Sequence, residues 1–139
     1  MENFKHCLWL IPTLEHEWYS YTNNFNPHIS IKTHIEEDDL HKYSHILNKN
    51  INICVKLQTP LYQTSQNNFY ALQCNVLIDD PYPDWWPENA HISFRYQYDK
   101  PFSDDEIKNI EKLLTVREST FDHIVLMKCV GHYSDWVKV

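Results

Sequence analysis

Glycine is nearly missing from this chain: Gly131 is the only one in 139 residues. A phosphate-cradling GxxxxGK loop and a GxGxxG dinucleotide turn are both excluded, because each needs several glycines at fixed spacing. CxxC pairs and the HExxH helix signature are absent too, so Cys7, Cys54, Cys74 and Cys129 give little support to a zinc site or a disulfide framework. Three of the four lie in apolar, strand-like runs, and together they read as small buried thiols in a reducing compartment. No apolar stretch approaches the ~20 residues of a membrane span, and the first residues lack the apolar core of a leader. A cytoplasmic location without membrane contact is expected. Positive charge is also short: 12 Lys and Arg stand against 19 Asp and Glu, a formal net charge of −7. That balance removes the attraction that dominates binding of long duplex nucleic acid. A small anion held by a local cluster of His, Lys and Arg stays possible.

Apolar residues make up 42% of the chain and aromatic ones 14%, enough for a packed core rather than disorder. The length suits one domain over 1–139, expected as a monomer. Within it two runs match: HISIK at 28–32 and HISFR at 91–95. In a strand, side chains alternate faces. His28, Ser30 and Lys32 then share one face against Ile29 and Ile31, and His91, Ser93 and Arg95 share one against Ile92 and Phe94. Each run offers an imidazole, a hydroxyl and a cation with an apolar anchor behind. One His-Ser pair from each of two lobes is the expected arrangement.

The surrounding chain reads as strands with a few short helices. Residues 7–12 form a buried strand ended by Pro12. A short helix is expected around Leu14–Tyr21, then a motif strand over 28–35, in which His34 shares the parity of His28 and competes with it. Acidic residues precede basic ones from Glu36 to Leu47, as in a short surface helix. The runs 51–57 and 69–78 flank the polar TSQNN and read as neighbouring antiparallel strands. Residues 79–89 form a Pro-rich loop. Its Trp85 and Trp86 either close the core or form a flap that stacks on a ligand base. The second motif strand covers 91–98. Ser103 to Glu106 is a capping box opening a helix with Ile107, Ile110, Leu113 and Leu114 on one face. A strand over 121–130, a turn at Gly131 and a last strand within 133–139 complete the chain.

Two imidazoles suit acid–base work near neutral pH, one neutral and one protonated. A phosphodiester between them can be attacked from one side while its leaving oxygen gains a proton on the other. Ser30 and Ser93 can donate to the non-bridging oxygens, with Lys32 and Arg95 near the rim to offset charge. His6, His16, His41, His45, His123 and His132 lack a repeated context and read as surface or locally hydrogen-bonded residues. No carboxylate cluster for two-metal chemistry stands out.

The segments NPHISI and AHISFRY resemble the double H-x-[S/T]-apolar signature of the 2H phosphoesterases, most closely the cyclic phosphodiesterase group. WLIP, FYALQC, the capped acidic helix after HISFRY, and Trp136 after Gly131 extend the likeness over most of the chain. The resemblance implies a bilobal α+β fold in which two antiparallel sheets line a central cleft with helices outside. It implies His28 and His91 as catalytic residues, with Ser30 and Ser93 holding phosphate, and no metal or other cofactor. By the same likeness His28 protonates or positions one side of the phosphate and His91 activates water, the two roles being open to exchange. Tyr96 matches an aromatic position lining the nucleotide pocket, although strand parity sets it opposite His91. Ala90 stands where Pro is common, and the loop 79–89 replaces a longer helical segment. Implied substrates are nucleoside 2′,3′-cyclic phosphates or ADP-ribose 1″,2″-cyclic phosphate. Cleavage of 2′,5′-oligoadenylate or a cyclic oligonucleotide is an alternative. So are a non-catalytic binder of nucleotides or RNA ends, and an interaction protein with incidental histidines.

Overall fold

The computed structural model describes residues 3–12, 17–22, 25–47, 49–79 and 81–139. Among the described residues seven strands carry the fold: β1 (Asn3–Pro12), β2 (Ile29–Ile35), β3 (Ile53–Gln66), β4 (Phe69–Leu77), β5 (His91–Tyr98), β6 (Glu118–Val130) and β7 (Val137–Lys138). Two α-helices, α1 (Ser44–Leu47) and α2 (Asp104–Leu113), and three 3-10 turns make up the helical part of the described residues. The class is α+β with antiparallel pairing throughout.

The strands join in one order, β1-β2-β5-β4-β3-β6-β7, rather than in two separate sheets. A further pairing of β1 with β6 brings the order back on itself. The ring narrows at β2 and β5, which share a single residue pair, Ile29↔Ile92. It is also short where the start of β6, Glu118–Phe121, meets Ile53–Lys56 of β3.

Several strands are buried on both faces, which explains their unbroken apolar runs. In β1, Leu8 and Leu10 enter the main core while Cys7 and Trp9 point the other way, into a second cluster with Val125, Met127 and Cys129. In β4, Leu72, Cys74 and Val76 face the main core, and Phe69 and Ala71 the opposite side. The helical elements before β6 cover the main core. Trp18 and Tyr21, Leu40 and Ile46, and Ile107, Ile110 and Leu114 pack there. The last 3-10 turn, Tyr133–Asp135, instead packs through Tyr133 against Tyr96 on the opposite side. The other face of the strands is left concave.

Most expected elements form, with local differences. Of the helix expected over Leu14–Tyr21, a 3-10 turn at Glu17–Ser20 is seen, and 13–16 lie outside the described residues. The strand expected to stop at 57 runs on through the polar Thr64, Ser65 and Gln66. The turn is then only Asn67-Asn68, both at positive φ, 50° and 62°. Asn tolerates that left-handed geometry, and a two-residue hairpin demands it. The capping box is present: Glu106 N–H donates to Ser103 Oγ at 3.2 Å and Ser103 N–H to Glu106 Oε1 at 3.0 Å. Cys7, Cys74 and Cys129 are buried thiols as expected, whereas Cys54 is exposed, because it faces outward on β3. Among the described residues no helix is long and apolar enough to cross a membrane.

Trp18 anchors the core from outside the sheet. It is fully buried, meets Phe94 and Phe121 edge-on, and donates from Nε1 to the Val116 carbonyl at 2.9 Å. Trp18→Ala removes the largest such side chain and is expected to cost about 3–5 kcal/mol. Chemical denaturation of the variant checks this, and a loss under 1 kcal/mol contradicts the packing described.

Candidate active site

The pair Ile29↔Ile92 places the two motifs side by side. Residues directly opposite in an antiparallel pair share a face, and their neighbours take the other. Both isoleucines are fully buried in the main core. His28, Ser30, His91 and Ser93 are thereby turned to the concave side. Continuing the register by one residue sets His28 across from Ser93 and Ser30 across from His91. All four line one cavity of about 210 Å3, open on one side.

The same irregularity follows each motif. On β2 the partners step from Trp9↔Ser30 to Leu8↔Lys32, so Ile31 is an extra residue. On β5 they step from Gln73↔Ser93 to Leu72↔Arg95, so Phe94 is extra. A bulge of this kind reverses the parity of everything beyond it. Thr33 and Tyr96 therefore line the cavity, three residues after Ser30 and Ser93. Tyr96 reaches the site in spite of its expected parity. Lys32 and Arg95 are carried away from the wall, contrary to expectation. Lys32 is exposed, and Arg95 is half-buried opposite Leu72 with its Nε enclosed and unpartnered. His34, beyond a second irregularity and at φ 57°, packs edge-on against Phe4 and is not part of the lining. Trp85 and Trp86 pack against the main core rather than over the cavity, because burial of their rings closes the outer face.

Both rings are held alike. His28 Nδ1 donates to the Asn26 carbonyl at 2.7 Å, and His91 Nδ1 to the Asn89 carbonyl at 3.0 Å. A carbonyl only accepts, so Nδ1 carries hydrogen and Nε2 is left for the cavity. The repeat is thus Asn-x-His-Ile-Ser, with Asn26 and Asn89 as its first members. That longer match is present in the sequence and was the signal for the two carbonyl braces.

Their surroundings differ. His28 is buried and stacked on Trp9, with ring centroids 3.5 Å apart and planes at 8°. Burial pushes its pKa down to about 4; the Asn26 carbonyl acts the other way, and His91 adds a smaller downward push. His91 is half-buried. Tyr96 is buried beside Phe69 and Phe25, and its hydroxyl bonds Ser93. Burial keeps that phenol protonated by raising its pKa. Trp9, Phe69, Gln73 and Trp136 are among the other wall residues, with Cys7 and Cys129 hydrogen-bonded to each other beside them. Trp136 Nε1 donates to the Gly131 carbonyl at 3.2 Å, which fixes the indole against the opening.

Among the described lining residues none is Lys, Arg, Asp or Glu. Among the described residues no group of three His, Cys, Asp or Glu side chains is placed to hold a metal ion. The arrangement can accept a proton at one Nε2, deliver one from the other, and offer hydroxyl donors between them. Comparison with known proteins returns nothing: no family model, no curated protein and no solved structure matches this chain.

The His28 shift makes stability depend on pH. An unfolded imidazole titrates near 6.5, the folded one at about 4, so between those values the unfolded chain binds a proton that the folded chain refuses. Stability is full above pH 6.5 and falls as pH drops toward 4, by on the order of 3 kcal/mol from this group. Urea unfolding across pH 4–7.5 is expected to show this slope in the wild type and a shallower one in His28→Gln. Parallel curves for the two proteins contradict the assignment.

Proposed function

We propose that the chain is a phosphodiesterase of the 2H type that opens a nucleoside 2′,3′-cyclic phosphate, or a related small cyclic phosphodiester, by acid–base catalysis. One observation carries this reading: two matched Asn-x-His-Ile-Ser segments, distant in sequence, meet at Ile29↔Ile92 and turn both imidazoles and both hydroxyls into one cavity. The bilobal 2H architecture belongs to the same reading. Strands β2-β1-β6-β7 form one half, β5-β4-β3 the other, and each half supplies one motif strand.

The unequal burial of the rings supports a division of labour opposite to the one the resemblance implies. His28, neutral at pH 7, takes the proton as water attacks phosphorus. His91 gives a proton from Nε2 to the ester oxygen whose bond to phosphorus breaks. The product is a phosphate monoester, with His28 protonated and His91 neutral, and exchange with solvent resets both. A bound diester adds a negative charge beside His28, which favours its protonated form and raises its basicity when it is needed. Ser30, Ser93 and Thr33 supply hydroxyl donors to the non-bridging oxygens. Tyr96 and Trp136 offer apolar faces for the nucleoside.

The test is an assay in EDTA against 2′,3′-cyclic mononucleotides, ADP-ribose cyclic phosphate, 2′,5′-linked oligoadenylate and cyclic dinucleotides, with products resolved by mass. Hydrolysis of a cyclic mononucleotide is expected. His28→Ala and His91→Ala should each lower kcat/KM by about 10²–10⁴-fold while remaining folded. Activity that survives both substitutions, or none on any substrate, sinks the reading.

A further inference from the structure

The two motif serines have unlike partners. Across the sheet from Ser30 stands Trp9, whose indole can only donate; across from Ser93 stands Gln73. Gln73 is 6% exposed and lines the cavity. Its Oε1 accepts from Ser93 Oγ at 3.4 Å and from Thr64 Oγ1 at 3.5 Å. Its Nε2 donates to Tyr62 Oη at 3.1 Å, and that hydroxyl donates to Asn75 Oδ1 at 2.6 Å. The two contacts at the oxygen end are long for O–H···O bonds, while the Tyr62 bond to Asn75 is short. The amide is therefore anchored through its nitrogen and grips Ser93 loosely.

We propose that Gln73 is a positioning residue that aims the Ser93 hydroxyl into the cavity and yields it to a phosphate oxygen. The identity of that ligand rests on the phosphodiesterase reading. A serine hydroxyl has one proton, and here it goes to Gln73 Oε1. A bond to an ionised phosphate oxygen is shorter and roughly twice as strong as a neutral one, so the exchange is favourable. Gln73 Oε1 keeps Thr64 as a donor, so no buried acceptor is stranded by the exchange. Tyr96, bonded to Ser93 from within the cavity, holds the serine oxygen in place as its proton turns. On the other side Trp9 offers Ser30 no acceptor of this kind.

The experiment is a double-mutant cycle. Wild type, Gln73→Met, Ser93→Ala and the double variant are titrated with adenosine 2′-monophosphate as probe. Hydrolysis of 2′,3′-cyclic AMP and thermal unfolding are measured in parallel. Gln73→Met keeps the length and removes both polar ends. It is expected to weaken the probe and raise KM about 5–10-fold, the worth of one hydrogen bond, with less effect on kcat. Added to Ser93→Ala it should cost little more, since the brace then has nothing to aim. Gln73→Glu, the same shape with a charged acceptor, should hold the serine proton and weaken the probe further. This second variant decides the matter if Gln73→Met unfolds. Wild-type affinity in a folded Gln73 variant, or equal losses with and without Ser93, overturns the proposal. If the wild type binds the probe but hydrolyses nothing, the phosphodiesterase reading fails while the binding cycle still decides Gln73. A wild type that binds no probe overturns both.

Discussion

Two isoleucine side chains, Ile29 and Ile92, face each other at the narrowest point of the sheet, and both are fully buried. Burying an Ile contributes about 1.5–3 kcal/mol, and here two are secured by one register. Because the side-chain period of a strand is two, a slip by one residue would send His28 and His91 into the apolar core and the isoleucines to the cavity. Imidazole burial without partners is costly and so is isoleucine exposure, so both effects oppose the slip. The geometry of the candidate site is thus specified by residues that take no part in its chemistry.

From that point the two motif segments are alike in backbone and unlike in setting. Each has its ring braced by the carbonyl two residues earlier, and each is followed by a bulge that turns the residue three positions after its serine into the cavity. The difference comes from the outer neighbours. β2 lies against β1 and receives Trp9, while β5 lies against β4 and receives Gln73. An aromatic wall removes water from His28 and holds it neutral; an amide gives Ser93 a defined direction. Equal strands given unequal neighbours hold their two histidines in unequal settings, and the proposed division between base and acid draws on that difference.

Much of this frame was legible in the sequence because it depends on local rules. The motif strands, the capping box at Ser103 and the Pro-rich loop all follow from alternation, cap chemistry and ring constraints. The placement of Lys32, Arg95 and Tyr96 was not legible, and the reason is specific. Strict alternation holds only while the ladder is regular, and neither Ile31 nor Phe94 carries a glycine or proline signal that marks a bulge. The exposed Thr64, Ser65 and Gln66 hid the second half of β3 for a different reason: an edge facing water needs no apolar face. Trp85 and Trp86 were ambiguous because ring burial against a core and stacking on a ligand make the same demand on a sequence. The return of β6 to β1 rests on pairing across more than a hundred residues, which no local pattern announces.

On the proposed phosphodiesterase reading, the displacement of Lys32 and Arg95 changes how phosphate charge has to be met. A cyclic phosphodiester carries one negative charge and its monoester product nearly two at pH 7. One proton shared between His28 and His91 brings the site with bound diester to neutrality, which suits a cavity walled by Trp9, Phe69, Tyr96 and Trp136. The same walls give the second charge of the product nothing of opposite sign, since no described lining residue is Lys or Arg. In a medium of low dielectric an uncompensated charge is expensive, and the open side of the cavity leads to water. The proposed reaction would thus convert a ligand the site tolerates into one it holds less well. A basic wall, as first expected from HISIK and HISFR, would have gripped the product more tightly than the substrate.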